Sequence, residues 1–551
     1  MHSSFNQRIG NKENTTGNVA DYMARWRHLI QKNDGTRSFI LRTTDCHDQS
    51  APFTENQETR ISITHADHDI SQISEGFLTF KVRLTLQLPG LSEIQDDNFH
   101  LLKLFVGFKS SNQILDQLQI NNRNRSTGYQ QNECCREGFA YSAIKPQAEK
   151  KTKKFIHSLY ENVANYSPSV CGTYINVAEL ADGKPHDVEF DLNLPFDDIL
   201  ALQAFDEFPN FAAGDLELKF YVKPAGLVWC MVDPTIIKDY KEVLEGGQVD
   251  LDLSRHNFHA LFKHAFSQIN TESFIISKFI TKTESINGVD INYADAELGF
   301  HTLQCLGMSI RSLKSNMYGY GITDASKRSI IEELKNPLYI PSQMLDYNAF
   351  PLAATPAGIQ STINMPLSNV SCISIMFPKH DNDLTIFENP CYDNLQLTVN
   401  GRNIPDETVN TLGARFLQYQ LNASDLSGGL QCTREFEDSF IMVKNNASDG
   451  GNRYINSLSD ATSFMFNAQT ERNGAGYTYD GYDSNGQNVP IQLKGQPVYT
   501  GIKDTYYNVD LAGTQHPPPP QIWLCRDTFF IVSLNGVDYV RDQTPPGSQA
   551  N

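Results

Sequence analysis

From Phe77 to Leu88 every second residue is apolar. Leu78, Phe80, Val82, Leu84, Leu86 and Leu88 alternate with Thr79, Lys81, Arg83, Thr85 and Gln87, and Pro89-Gly90 ends the run. A period of two places the six apolar residues on one face of a β-strand. His186 to Leu194 repeats the pattern through Val188, Phe190, Leu192 and Leu194, and Asp215 to Val222 repeats it through Leu216, Leu218, Phe220 and Val222. Each such side chain contributes about 1.5–3 kcal/mol on burial, so these strands predict the core of a β-sandwich. A slip of one residue would turn every one of them to solvent.

Asn-Gly pairs at 287-288, 400-401 and 535-536 sit between strand-like runs. They predict tight type I′ hairpins, and two-residue turns join only antiparallel strands. The last is expected to join the run from Phe529 to Leu534 with that from Val537 to Val540. Between Met231 and Asn270 the pattern changes to a helical one, with Gly246-Gly247 inside it and Phe258, Leu261, Phe262, Ala265 and Phe266 on one helical face. We place the domain junction there. Strands resume at Phe274 to Thr283, interrupted by a short helix near Ser326 to Leu334.

The first residues are polar apart from Asn18 to Lys32, where Val19, Tyr22, Met23, Trp26, Leu29 and Ile30 form a single stripe at helical spacing, with Arg25, Arg27, His28 and Lys32 off it. The resulting division is an arm with an amphipathic helix over 1–60, a first sandwich over 61–235, a helical linker over 236–270, a second sandwich over 271–540, and a disordered tail over 541–551. Asn473 to Pro490 is rich in Gly, Asn, Tyr and Asp, which predicts a long exposed loop or an intersubunit contact in which Tyr477, Tyr479 and Tyr482 supply area. Pro517 to Pro520 predicts a stiff polyproline II lead into the last strands.

A chain of 551 residues exceeds one ordinary core and leaves room for two large sandwiches. No run of about 18 apolar residues occurs, so no transmembrane helix is expected. Met1 to Arg8 lacks the apolar stretch of a secretory signal, which leads us to expect folding inside a cell. Ten cysteines are scattered without C-x-x-C spacing; the adjacent Cys134 and Cys135 suit neither an ordinary disulfide nor zinc, and Cys171, Cys230, Cys372 and Cys525 lie in apolar runs, so we read reduced thiols. A formal net charge of -19 excludes wholesale neutralisation of DNA phosphates. The basic run from Lys145 to Lys154 reads as a solvated loop.

Candidate chemistry is sparse. His65-Ala-Asp67-His68-Asp69 gathers four potential ligands, yet in an order that matches no metal-site spacing, and His256 with His259 lacks a third partner. Asp197-Asp198 has the composition of a glycosidase pair, but acidic residues are so common here that such pairs arise by chance. No nucleophile elbow, P-loop, H-E-x-x-H or dinucleotide fingerprint occurs. We expect no catalytic residue, cofactor, metal or small-molecule substrate.

Two phrases carry a resemblance: Leu104-Phe-Val-Gly-Phe-Lys-Ser-Ser-Asn-Gln-Ile114 and Asn394-Leu-Gln-Leu-Thr-Val-Asn-Gly-Arg-Asn-Ile404. With Val170-Cys-Gly-Thr-Tyr174, Leu194-Pro-Phe-Asp-Asp-Ile-Leu200, Pro337-Leu-Tyr-Ile-Pro341, Gln496-Pro-Val-Tyr-Thr-Gly-Ile502 and Pro517-Pro-Pro-Pro520 in this order, the chain from about Phe77 to Phe530 resembles the major capsid proteins of Polinton (Maverick) elements, which are virus-like DNA transposons. The resemblance implies an all-β double jelly roll, that is, two successive eight-stranded antiparallel β-sandwiches with an N-terminal helical arm and short helices in loops. It also implies a homotrimeric, pseudo-hexagonal capsomer that tiles an icosahedral shell around double-stranded DNA, with a separate single jelly-roll penton protein at the vertices. The arm residues Tyr22, Arg25, Trp26, Arg27 and Leu29 would then be assembly residues, contacting a neighbouring capsomer, the penton, an inner membrane or the genome. The competing reading is a β-sandwich that binds carbohydrate or hydrolyses glycosides.

Overall fold

The computed structural model describes residues 42–45, 53–64, 67–89, 103–137, 171–180, 182–232, 267–286, 289–381, 383–385, 387–409, 441–442, 453–454, 464–470, 482–498 and 516–541. The second half shows its topology most directly. Eight described strands build its two sheets, in chain order Leu338–Ala349, Ile359–Pro366, Val370–Met376, Tyr392–Val399, Arg402–Val409, Met465–Gln469, Asn488–Pro497 and Gln521–Ser533, while Ile441–Met442 and Arg453–Tyr454, between the fifth and the sixth, pair only with each other. Counted in that order, one sheet runs first-eighth-third-sixth and the other second-seventh-fourth-fifth. Every neighbouring pair is antiparallel. Such an order is produced when two nested Greek keys wrap around one core.

The first half repeats it. Thr59–Ser62, Lys103–Phe108, Leu115–Asn122, Arg125–Asn132, Gly172–Asn176, Leu216–Val222 and Leu227–Val232 occupy the second to eighth places. The first place, beside Leu227–Val232, is filled by Ser267–Gln268 from further along the chain. The fold is a double jelly roll. A further sheet lies with the first roll, in the order Arg42–Asp45, Gln304–Tyr320, Ile70–Gln87, His186–Pro195, and a ribbon pairs Glu272–Ile286 with Val289–Thr302.

The alternating strands bury the faces that their sequence predicts. Leu78, Val82, Leu84, Leu86, Leu192, Leu194, Leu216 and Leu218 are fully enclosed in the first core. Strand 70–87 pairs with strand 186–195 so that Leu78 opposes Leu194 and Phe80 opposes Leu192. The expected helix near Ser326 is Asp324–Glu333, whose N-cap Thr323 accepts a hydrogen bond from the Ser326 amide. At Asn400-Gly401 both residues have positive φ, 50° and 79°, as a type I′ turn requires.

Two expectations change. The expected division at residue 270 does not follow the sheets, because Gln304–Tyr320 pairs with Ile70–Gln87 and puts Met308, Ile310 and Leu313 into the first core. The turn expected at Asn535-Gly536 is moved back by one residue: Ser533 pairs with Gly536, leaving Leu534-Asn535 as the loop. Gly536 stands in the strand at φ 125°, and a Cβ there would collide with Asn122 Oδ1 of the first roll. The expected helices of 18–32 and 236–266, the lysine run at 145–154, His256, His259 and residues 542–551 of the tail lie outside the described residues, while Arg541, assigned to the tail, is held by an ion pair to Asp346. Among the described residues no helix is long and apolar enough to cross a membrane.

Candidate functional site: the seam between the jelly rolls

Strand Gln521–Ser533 serves both cores. Its Ile522 and Leu524 belong to the second, while Phe530 and Val532 belong to the first, joined there by Val537 of strand Gly536–Val540. Phe530 meets the Phe205 ring at 4.7 Å, Tyr539 at 5.0 Å and Tyr129 at 5.9 Å, and Tyr129 stands edge-on to Tyr539 at 5.1 Å. Aromatic pairs at these separations add about 0.5–1.5 kcal/mol beyond the area they bury.

A polar frame surrounds this cluster. Asn122, buried at the end of strand 115–122, accepts from the Val537 amide at 3.2 Å and donates to the carbonyls of Ala213 and Asp215 at 3.2 and 3.1 Å. Next to it, Arg123 donates to the Leu534 carbonyl at 3.1 Å and to the Ala212 carbonyl at 2.8 Å. Gln131 Nε2 reaches the Leu345 carbonyl at 3.1 Å, and Arg125 pairs with Asp538 at 2.7 Å. A second clip uses Gln268. Its Nε2 donates to the Leu227 carbonyl at 3.2 Å, while its Oε1 accepts from Thr385 Oγ1 at 3.0 Å, so one side chain joins the first roll to loop 378–391 of the second.

Charge is concentrated at one end of the seam. Asp346 is shared by Arg526 and Arg541, the latter at 2.6 Å, and Arg136 lies 4.6 Å over the Tyr347 ring. Glu137 sits in the same region without an ion-pair partner among the described residues. Burial, aided by the negative charge of Asp346, pushes its carboxyl up to about 8. Burial likewise raises the Tyr129 phenol and the Cys134 thiol well above their ordinary values, and pushes the Cys135 thiol up to about 12. In loop 378–391 burial pushes Asp383 up to about 7, although it accepts from the amides of Lys379 and His380.

The residues singled out in the sequence fall elsewhere. Tyr22, Arg25, Trp26, Arg27, Leu29, Tyr477 and Tyr479 lie outside the described residues. Tyr482, expected on an exposed loop, instead bridges Val370 through paired backbone hydrogen bonds of 2.8 and 3.0 Å, and its hydroxyl accepts from Asn400 Nδ2 at 3.2 Å. The half-buried ring packs on the second core. Asp69 of the His65 to Asp69 cluster pairs with Lys327 at 2.8 Å and accepts from the Ile322 amide at 3.0 Å, which ties helix 324–333 to the first roll. Among the described residues no group of three or more His, Cys, Asp or Glu is placed to hold a metal ion. The geometry of the seam is suited to joining two sandwiches. Asn122 and Gln268 are residues that sequence reasoning missed, and only the polar run Asn121-Asn-Arg-Asn-Arg125 in a strand hairpin hinted at the first.

No family model matches the chain, and no curated protein matches it. Solved structures do. The Sputnik virophage structure determined by cryo-EM is matched at 10% identity over 94% of this chain and 91% of that one, with a TM-score of 0.46. The VP54 protein of PBCV-1, fitted into a reconstruction of Sputnik, gives 10% identity over 91% and 97% with a TM-score of 0.45. The mavirus major capsid protein gives 10% identity over 92% and 91% with a TM-score of 0.43.

Proposed function

We propose that this chain is a major capsid protein of a virus-like DNA transposon or related double-stranded DNA virus. The observation that carries the reading is the tandem repeat of one jelly-roll strand order in a single chain, with a buried seam joining the two copies. A fold alone does not choose a function; the ordered phrases from Leu104 to Pro520 are what favour a shell over a lectin or glycosidase built on similar sheets. In this reading three chains form a pseudo-hexagonal capsomer, and capsomers tile an icosahedral shell with a single jelly-roll penton protein at its vertices. The chain is made inside the host cell and ends in the virion capsid. The arm around Trp26 and Leu29 contacts a neighbour, the penton, an inner membrane or the genome, and the trimer interface buries more than about 2,000 Å², as obligate assemblies do.

Light scattering on the purified chain tests this: the expected mass is three times 62.0 kDa, with a six-cornered outline in negative-stain micrographs. A monomer that binds glycans would overturn the reading in favour of the carbohydrate-active alternative. Replacing Trp26 and Leu29 with Ser tests the arm; trimers should form with unchanged melting while shells fail to close.

A further inference from the structure

Cys372 and Cys525 stand directly opposite each other in the ladder between Val370–Met376 and Gln521–Ser533. Opposed residues of an antiparallel pair have Cα atoms about 4.5–5.5 Å apart. That lies inside the span of about 4.4–6.8 Å that a disulfide bridges. Direct partners also share a face of the sheet, so the two thiols emerge on the same side. The register shifts between Val370 and Cys372, and Ser371 Oγ donates to the Cys525 carbonyl at 3.3 Å. A bulge at this point lets the strand adjust its local twist to close a bond.

Neither cysteine is part of a disulfide in the structure. Cys525 is 9% exposed and packs in a cluster with Leu345, Trp523 and Leu200 of the first roll, while Cys372 is half-buried against that cluster. Among the described ladders no other two cysteines oppose each other. Cys134 and Cys135 are neighbours in sequence and both deeply buried, which suits them to packing instead.

We propose that Cys372 and Cys525 form a redox latch, closed by thiol–disulfide exchange with a low-molecular-weight disulfide such as oxidised glutathione. The more exposed Cys372 loses its proton to solvent and attacks one sulfur of the glutathione disulfide, releasing one glutathione thiolate and leaving a mixed disulfide. Cys525, deprotonated in turn, attacks the Cys372 sulfur; the protein S–S bond forms and the second glutathione thiolate leaves. The two cysteines give up two electrons, and the small disulfide becomes two thiols. The bond fastens the third strand of the second roll to its eighth, the strand that continues into the seam. The inference goes beyond the capsid reading and holds for any assembly state.

The test is a peptide map of the full-length protein, purified under reducing conditions, exposed to oxidised glutathione, blocked with iodoacetamide and digested without reductant. The expected result is a linked pair of peptides carrying Cys372 and Cys525, lost on treatment with dithiothreitol. Oxidation should also raise the melting temperature of the wild type and leave that of Cys372→Ser and Cys525→Ser unchanged. Recovery of both cysteines as carbamidomethyl or glutathionyl adducts, or linkage of either to a third cysteine, would overturn the proposal. The wild-type map decides it even if a variant fails to fold.

Discussion

The second jelly roll closes its core with residues from Phe350 to Leu524, all within its own eight strands and the segments that join them. The first draws on residues as late as Val537, and takes strand 267–268 and the neighbouring sheet strand 304–320 from beyond its own eighth strand. One strand order therefore supports two kinds of stability. The second roll is self-sufficient, whereas the first cannot complete its core until the last strand of the chain arrives. Contacts so distant in sequence cost loop-closure entropy before they repay it, so the first roll is expected to consolidate after the second.

The sharpest way to break this asymmetry is Phe530→Ala. Truncating an aromatic ring that is fully enclosed between Tyr129, Phe205 and Tyr539 should cost about 3–5 kcal/mol in urea titrations. Although the change lies in the last strand of the second roll, hydrogen exchange should show the loss of protection first in strands 125–132 and 70–87. Leu524→Ala, three turns of the same pleat earlier, should instead loosen strands 370–376 and 392–399. Equal loosening of both rolls by both variants would show that the cores are not distinct.

A second test uses the protons of the seam. Glu137 is held near 8 by burial and by Asp346, far above its ordinary 4.5. A carboxyl raised in the folded state is protonated in both states at low pH; as pH climbs from about 4.5 towards about 8 the unfolded chain ionises first, so stability falls with rising pH. Asp383, raised to about 7, adds a slope of the same sign over the lower part of that window. Glu137→Gln should flatten the upper part of the stability–pH curve and Asp383→Asn the lower part. A wild-type curve that rises from about pH 5 to about pH 8 would contradict both assignments.

Much of the first core was legible from sequence, because a period of two reports which face of a strand is buried. Leu78, Leu192 and Leu218 are in the core for the reason their alternation gives. Periodicity does not report what covers that face. Nothing local marks Gln304–Tyr320 as a partner of Ile70–Gln87, or Phe530 as a member of the first core, since both depend on chain segments more than two hundred residues apart. The turns divide along the same line: Asn400-Gly401 folds as its own dipeptide dictates, while Asn535-Gly536 is shifted because Asn122 and Arg123 fix the hairpin from outside. The backbone bridge from Tyr482 to Val370 was not legible either, because a Gly- and Asn-rich composition does not report pairing with a distant segment.

Within the polar frame, Asn122→Ala should cost about 1–3 kcal/mol, the usual consequence of leaving buried partners unsatisfied. The Val537 amide and the carbonyls of Ala213 and Asp215 would each lose a partner. Asn122→Asp sharpens the reading, because it keeps the acceptor for Val537 but replaces the donor that faces the carbonyls. It should destabilise at neutral pH at least as much as Ala, and less as the solution is acidified.

The smallest effect should come from Arg125→Ala. Its bridge to Asp538 is short, 2.7 Å, and crosses between the two rolls, which makes it look important on a contact map. Both side chains are more than half exposed, however, at 62% and 56%. Exposed pairs are worth about 0.2–1 kcal/mol and are screened by salt. The expected loss therefore sits at the low end of that range in dilute buffer and vanishes at about 1 M salt, whereas the losses from Phe530→Ala and Asn122→Ala persist. A double-mutant cycle with Asp538→Ala isolates the pair. A coupling that survives high salt would mean that the rim of the seam is drier than its exposure indicates, and that charge as well as packing holds the first roll to the strand it borrows.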